Sequence, residues 1–244
     1  MSDFEDPEAE SPGRMKSAMV ATAAVAFVVA PLAVPFSGFD PALFPIPQVD
    51  PPAQPAGYAF AIWSVIYLWM LGHAVYGLGM RADDPRWDAT RWPLILSLML
   101  GAIWTAVASF SPTWAVILMA LMLGGALASL RAAPEGLDRW WLRAPIALYA
   151  GWLTAAFFAG LAIVAAGNGI LFGAVGWAWI ALIAATALAV VVQYRLSGTP
   201  EYGLGVIWAL VAIAVRNWGS DWGLVVLAVC AAVAVAIAWH RGRT

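Results

Sequence analysis

The side chains in this sequence best placed to do chemistry are aromatic. Fifteen of the 244 residues are tryptophan, and four of these, Trp69, Trp104, Trp152 and Trp208, fall near the middle of long apolar runs. An indole in such a run offers a flat apolar face and one N–H that needs an acceptor where no water is at hand. Trp63, Tyr67 and Met70 add a stripe at i, i+4 and i+7 of a helix. Surfaces of this kind make and break no bonds; they recognise a flat or rigid apolar ligand by stacking and shape. The competing reading is helix–helix packing, with each N–H bonded to a backbone carbonyl, and the sequence leaves both open. Trp87, Trp92, Trp114, Trp140, Trp141, Trp218, Trp222 and Trp239 lie at the ends of the runs, where indoles settle at a membrane–water interface.

Groups that could drive a reaction are scarce. Well inside the apolar runs, away from their ends, the ionisable side chains are His73 and the thiol of Cys230. Ion-coupled transporters and pumps keep acids and bases within their spans, so neither activity is expected. His73 reads either as a haem-iron ligand or as a histidine hydrogen-bonded to a neighbouring helix. No Ser/His/Asp set or carboxylate pair can be placed at membrane depth, so no catalytic or metal-binding residue is assigned and no enzyme is expected. One cysteine rules out an internal disulfide. The net charge of −2 and the lack of a Lys/Arg-rich run give no sign of a nucleic-acid partner.

The elements that must position the aromatics belong to a lipid bilayer. The chain is 63% hydrophobic and 11% charged, where a soluble domain is roughly half apolar and about a quarter charged. Eight runs, at 17–36, 57–80, 93–110, 113–131, 141–166, 170–195, 202–217 and 222–240, approach the ~20 helical residues that cross a bilayer, the seventh being the shortest. The fold class expected is all-α, a polytopic integral membrane bundle. With both termini cytoplasmic, eleven of the twelve basic residues fall on inner segments and only Arg216 outside, as the positive-inside rule demands. The localisation expected is a bacterial inner membrane. Arg14 and Lys16 before the first run also suit a signal sequence, but the acids at 3, 5, 6, 8 and 10 oppose that reading. Residues 1–16 are expected to be an acidic cytoplasmic tail.

The first outer loop, 37–56, carries six prolines and no basic residue. Proline fixes φ and restricts the residue before it, so the loop is stiff. Phe39, Leu43, Phe44 and Ile46 give it apolar side chains to pack, and an ordered cap over the bundle is expected, with a plain packed linker as the alternative.

Behind that loop, "PAGYAFAIWSVIYLWMLGHAVYGL" (55–78) resembles the tryptophan-rich sensory protein family, also called the translocator protein or TspO/MBR family. Trp63 and Tyr67 match its Trp and Tyr on the second helix. "WTAVASFSPTWAVILMALML" (104–123) is similar to its third and fourth helices, and "APIALYAGWLTAAFFAGL" (144–161) to its fifth, through Tyr149 and Trp152. Val49 and Asp50 stand where the family has a Trp before its proline pair, and Thr154 where it has Asn. The resemblance implies a five-helix bundle over 17–166 whose loop closes a ligand pocket, and 167–244 add three transmembrane helices. It implies binding of a porphyrin or haem, or a sterol, and a homodimer in the bilayer. Trp63, Tyr67, Trp104, Tyr149 and Trp152 would line the pocket, with Pro55 and Phe60 at its rim. Trp208, in the added part, is expected to tolerate phenylalanine. The function implied is a receptor, sensor or carrier for such a ligand. The alternatives are a scaffold for partner membrane complexes and a facilitator for a small neutral solute.

Overall fold

The computed structural model describes residues 12–136, 138–196 and 198–241; residues 1–11 of the acidic tail lie outside the described residues. Among the described residues the regular structure is helical throughout: α1 (Pro12–Ala33), α2 (Ile62–Met80), α3 (Pro85–Ala108), α4 (Pro112–Ala132), α5 (Arg143–Gly167), α6 (Ala174–Arg195), α7 (Pro200–Arg216) and α8 (Trp222–Arg241), with short 3-10 turns at Pro41–Leu43 and Gly57–Ala61. The chain is a polytopic helical membrane protein. Seven of the eight helices are long and apolar enough to cross a bilayer by length and composition. The other, α7, has 17 residues, yet it runs from one end of the bundle to the other: Glu201 at its start pairs with Arg139 of the α4–α5 connection, and Arg216 at its end pairs with Asp50 of the proline loop.

Two helices start more than a turn before their apolar runs. The third helix begins at Pro85, before the apolar run at 93, because Asp84 caps it by accepting from the Arg86 N–H (2.9 Å) and Pro85 takes a first-turn position that needs no donor. The first helix begins at Pro12, so residues 12–16, expected as tail, are helical. Lys16 then reaches Asp88 on α3 at 2.7 Å, and the buried Arg91 donates to the Gly13 and Arg81 carbonyls.

The packing closes a ring. α1 lies against α2 and α3, α3 against α4, α4 against α5, and α5 against α2. On the far side of α5, α6 and α7 pack against it and α8 packs against both. The fifth helix is therefore buried along nearly its whole length. Glycines let its backbone approach α7: an added Cβ on Gly205 would stand 2.8 Å from the Trp152 nitrogen. Hydroxyls hold the two seams of α5, Tyr149 to Ser97 of α3 at 3.0 Å and Thr154 to Tyr202 of α7 at 2.9 Å.

The inner face is tied by the connection between α4 and α5. Its Asp138 accepts from Arg81 Nε (2.7 Å), Trp87 Nε1 (3.1 Å) and the Tyr76 hydroxyl (3.1 Å). Trp87 is thus no interfacial anchor. It is buried, stacked on His73 at 5.1 Å, and donates its N–H to a carboxylate. The Arg81 hydrogen bond foremost, helped by Trp87 and Tyr76 and opposed by burial, holds the Asp138 carboxyl below the usual carboxylate range. A depressed folded-state pKa adds stability that is present above the unfolded value, about 3.9, and is lost as pH falls through the folded one. Asp138→Asn is therefore expected to lower the melting temperature in detergent at pH 7, and the gap to the wild type should close as pH drops below the carboxylate range. Equal melting of the two proteins at pH 7 would show that the charge at 138 does not hold this face.

Candidate functional site

Apart from an open hollow of about 500 Å³ between Pro47, Val49 and Pro52 of the proline loop and the α5–α6 turn, two adjoining cavities lie under the loop at the end of the five-helix ring. The smaller, about 50 Å³, is walled by Gln54 and Pro55 of the loop, Phe39, Met119, Trp152 and Gly160. The larger, about 230 Å³, reaches deeper and is walled by Phe27, Pro31, Trp63, Tyr67, Thr105 and Met122. Phe36, Phe60 and Trp104 line both and form the partition between them. Phe36 stands edge-on to Trp104 with centroids 4.7 Å apart, and Phe60 edge-on to Trp152 at 6.1 Å.

The loop is built to lie there. Its Ile46 N–H donates to the Gly167 carbonyl at the end of α5 (2.9 Å), and Phe44 is buried over Gly167, which has no side chain to prevent it. Of the apolar side chains the loop offers, Phe39 turns into the cavity wall, while Leu43 and Ile46 remain exposed.

Six of the seven residues singled out from the sequence meet at these walls: Pro55, Phe60, Trp63, Tyr67, Trp104 and Trp152. Trp63 and Tyr67 stack on one another at 5.3 Å. Tyr149 does not line either cavity. It lies one layer behind, fully buried against Phe27 and Trp63, its hydroxyl taken by Ser97. Phe36 and Thr105 escaped the sequence reading. Phe36 sits at the polar-flanked end of the first run, and Thr105 follows Trp104 as a hydroxyl deep in a span, which was the available signal.

The indole N–H groups of the four mid-span tryptophans fall into two sets. Trp69 donates to the Trp140 carbonyl (2.7 Å), Trp104 to that of Ala115 (2.8 Å), and Trp208 to that of Ala59 (2.9 Å). These three meet the packing reading. Trp152, 2% exposed, has no acceptor for its Nε1, and Thr105 beside the larger cavity has no partner for its hydroxyl. Both belong to cavity walls.

His73 is elsewhere. Its Nδ1 lies 2.7 Å from the Trp141 carbonyl, and its ring packs on Trp87 beside a space of about 10 Å³, room for about one water. That volume holds no haem, so iron ligation by His73 gives way to the hydrogen-bonded reading. The larger aromatic cavity is itself below the ~300 Å³ at which pockets for drug-sized ligands begin. The two spaces together are still below that volume, so a tetrapyrrole fits only if the partition rings move and the surrounding walls also part.

A family model described as TSPO-like protein matches residues 47–240. The chain belongs to the TSPO-like protein family. No curated protein and no solved structure matches it. The matched region opens inside the proline loop and runs through α2–α8, so it takes in the loop's second half and α7 together. The TSPO-like family is generally non-enzymatic, and membership points to a membrane-bound role in ligand binding or transport.

Proposed function

We propose that this TSPO-like protein is a receptor or carrier in a bacterial inner membrane, not an enzyme, and that it binds a flat apolar ligand bearing hydrogen-bonding groups beneath the proline loop. The reading is carried by the two unpartnered polar atoms, Trp152 Nε1 and Thr105 Oγ1, on walls that are mostly apolar apart from Gln54 and Tyr67. A buried polar group without a partner destabilises the empty protein by about 1–3 kcal/mol. Packing alone has no use for such groups; a ligand that supplies their partners does. Porphyrins, with a ring to stack and carboxylates to accept, suit the walls best, and sterols offer a single hydroxyl to the same place.

The test is titration of the purified protein with protoporphyrin, haemin and a sterol, following tryptophan fluorescence, beside Thr105→Val. Valine keeps the shape and removes the orphan hydroxyl. The variant is expected to melt at or above the wild-type temperature yet bind the preferred ligand about tenfold more weakly, a loss of about 1.4 kcal/mol. Failure of all three ligands to saturate, or wild-type affinity in Thr105→Val, overturns the reading.

A further inference from the structure

The second half of the proline loop runs antiparallel down α7, bonded to it at successive turns. Asp50 pairs with the Arg216 guanidinium, and the Pro52 carbonyl accepts from Asn217 Nδ2 (2.9 Å). Ala56 N–H donates to the Ala212 carbonyl (3.1 Å), and the Ala59 carbonyl accepts from Trp208 Nε1 (2.9 Å). The anchored positions 50, 52, 56 and 59 bracket Gln54 and Pro55, which roof the smaller cavity, and stop one residue short of Phe60, which partitions the two. We propose that α7 is the latch of this cavity: its outer half holds the loop down, and the rate at which these bonds open sets how fast a ligand enters and leaves. The part concerning ligand traffic rests on the ligand-binding reading above.

Several independent features converge on α7. Arg216 is the basic residue that the charge pattern leaves on the outer side, against the usual asymmetry; its partner there is the loop. Asp50 holds φ at 50°, in the left-handed region, directly before a proline. That conformation is uncommon for a residue with a side chain, and the contacts of Asp50 and Pro52 with α7 hold it. Asn217 is buried, and its amide also donates to the Ile213 carbonyl (2.8 Å), which fixes the side chain for its loop contact. Tyr58 packs edge-on against Trp208 at 5.6 Å. The lower end of α7 cannot slide, because Glu201 pairs with Arg139 and Tyr202 bonds Thr154. The first half of the loop is held separately, on α5, through Ile46 and Phe44. Three prolines between Asp50 and Ala56 stiffen the latched half, so it lifts as a unit rather than residue by residue.

The experiment uses the full chain in detergent and three variants, Trp208→Phe, Asn217→Ala and Arg216→Gln. Amide hydrogen exchange is followed over 51–60 and, as an internal reference, over 42–46. The Trp208 and Asn217 variants are expected to speed exchange over 51–60 by about tenfold, since local opening is governed by the bonds holding a segment, while 42–46 and the melting temperature stay put. Arg216→Gln, which loses an exposed ion pair, is expected to have the smallest effect. Stopped-flow quenching with protoporphyrin should show association and dissociation both faster by about threefold or more in the loosened variants, with the affinity little changed. Folded variants whose 51–60 exchange is unchanged overturn the latch; if one variant does not fold, the other two still decide. A loosened loop with unchanged porphyrin rates overturns its control of ligand traffic. If the wild type binds no porphyrin, the ligand reading fails, and the exchange result alone decides the latch.

Discussion

Gly151→Ala is expected to be among the most damaging single-methyl additions in this protein. A Cβ at 151 would drive into the backbone carbonyl of Tyr202, with the carbonyl carbon at 2.8 Å and the Cα at 3.0 Å. Those atoms are helix backbone and cannot swing aside, so α5 and α7 must part. Overpacking of a tight core costs about 1–3 kcal/mol, and the upper end applies because the same shift stretches the Thr154–Tyr202 hydroxyl pair and the Gly205 approach to Trp152. Gly124→Ala is the matched control: it too is mid-helix, but an added Cβ there meets nothing within 4 Å. Thermal unfolding in detergent should show a lowered midpoint for Gly151→Ala and an unchanged or slightly raised one for Gly124→Ala. Equal midpoints would mean that α5 and α7 do not cross at these glycines. Because α7 also carries the contacts that hold the loop, the Gly151 variant should expose residues 51–60 as well.

What the sequence made legible is what depends on local pattern. Hydropathy locates the eight helices, since each must bury its backbone in lipid by itself. It misses the first two turns of α3, whose residues Trp87, Asp88 and Arg91 are polar or aromatic because they serve the inner-face network, not the lipid. The same non-locality hides the role of Trp87: its acceptor, Asp138, lies on another connection, and no spacing rule points to it. Among the four mid-span tryptophans the sequence could only state the two alternatives. Which indole finds a carbonyl depends on neighbours brought by tertiary packing, and three do while Trp152 does not. Tyr149 aligned with a family aromatic, yet a residue on α5 can face the ring interior and still sit one layer behind it, with Phe27 and Trp63 in front. Trp208 was expected to stand apart from the site. The loop's descent along α7 brings Ala59 to its N–H, so it holds the loop segment next to Phe60 and cannot serve as an uninvolved control.

The difference between a bonded and an unbonded indole gives the second large effect. Trp104 and Trp152 are both buried on the cavity walls, and phenylalanine in place of either removes an N–H and some ring area. At 104 the N–H serves the Ala115 carbonyl that joins α3 to α4, so Trp104→Phe should melt lower, by the loss of that bond and of packing. At 152 no protein acceptor is lost, and removing the unpartnered N–H offsets the lost packing, so Trp152→Phe should melt close to the wild type. Ligand affinity should separate the two in the opposite sense. Stacking of a flat ring on an aromatic side chain is worth about 1–3 kcal/mol in the nucleic-acid case, and Trp152 adds an N–H that only a ligand can satisfy. Trp152→Phe is therefore expected to weaken binding of the preferred ligand by roughly five- to a hundredfold, and Trp63→Phe, whose ring shares the larger cavity with Tyr67, to weaken it toward the lower end of that range. Trp104→Phe should lose less affinity than stability, since its ring contact survives and its N–H was never available. The discriminating result is the crossing of the two orders, Trp104 worse in melting and Trp152 worse in binding. Were Trp152→Phe the less stable of the pair while binding as the wild type does, the unpartnered N–H would belong to packing and the ligand would have to lie elsewhere in the bundle.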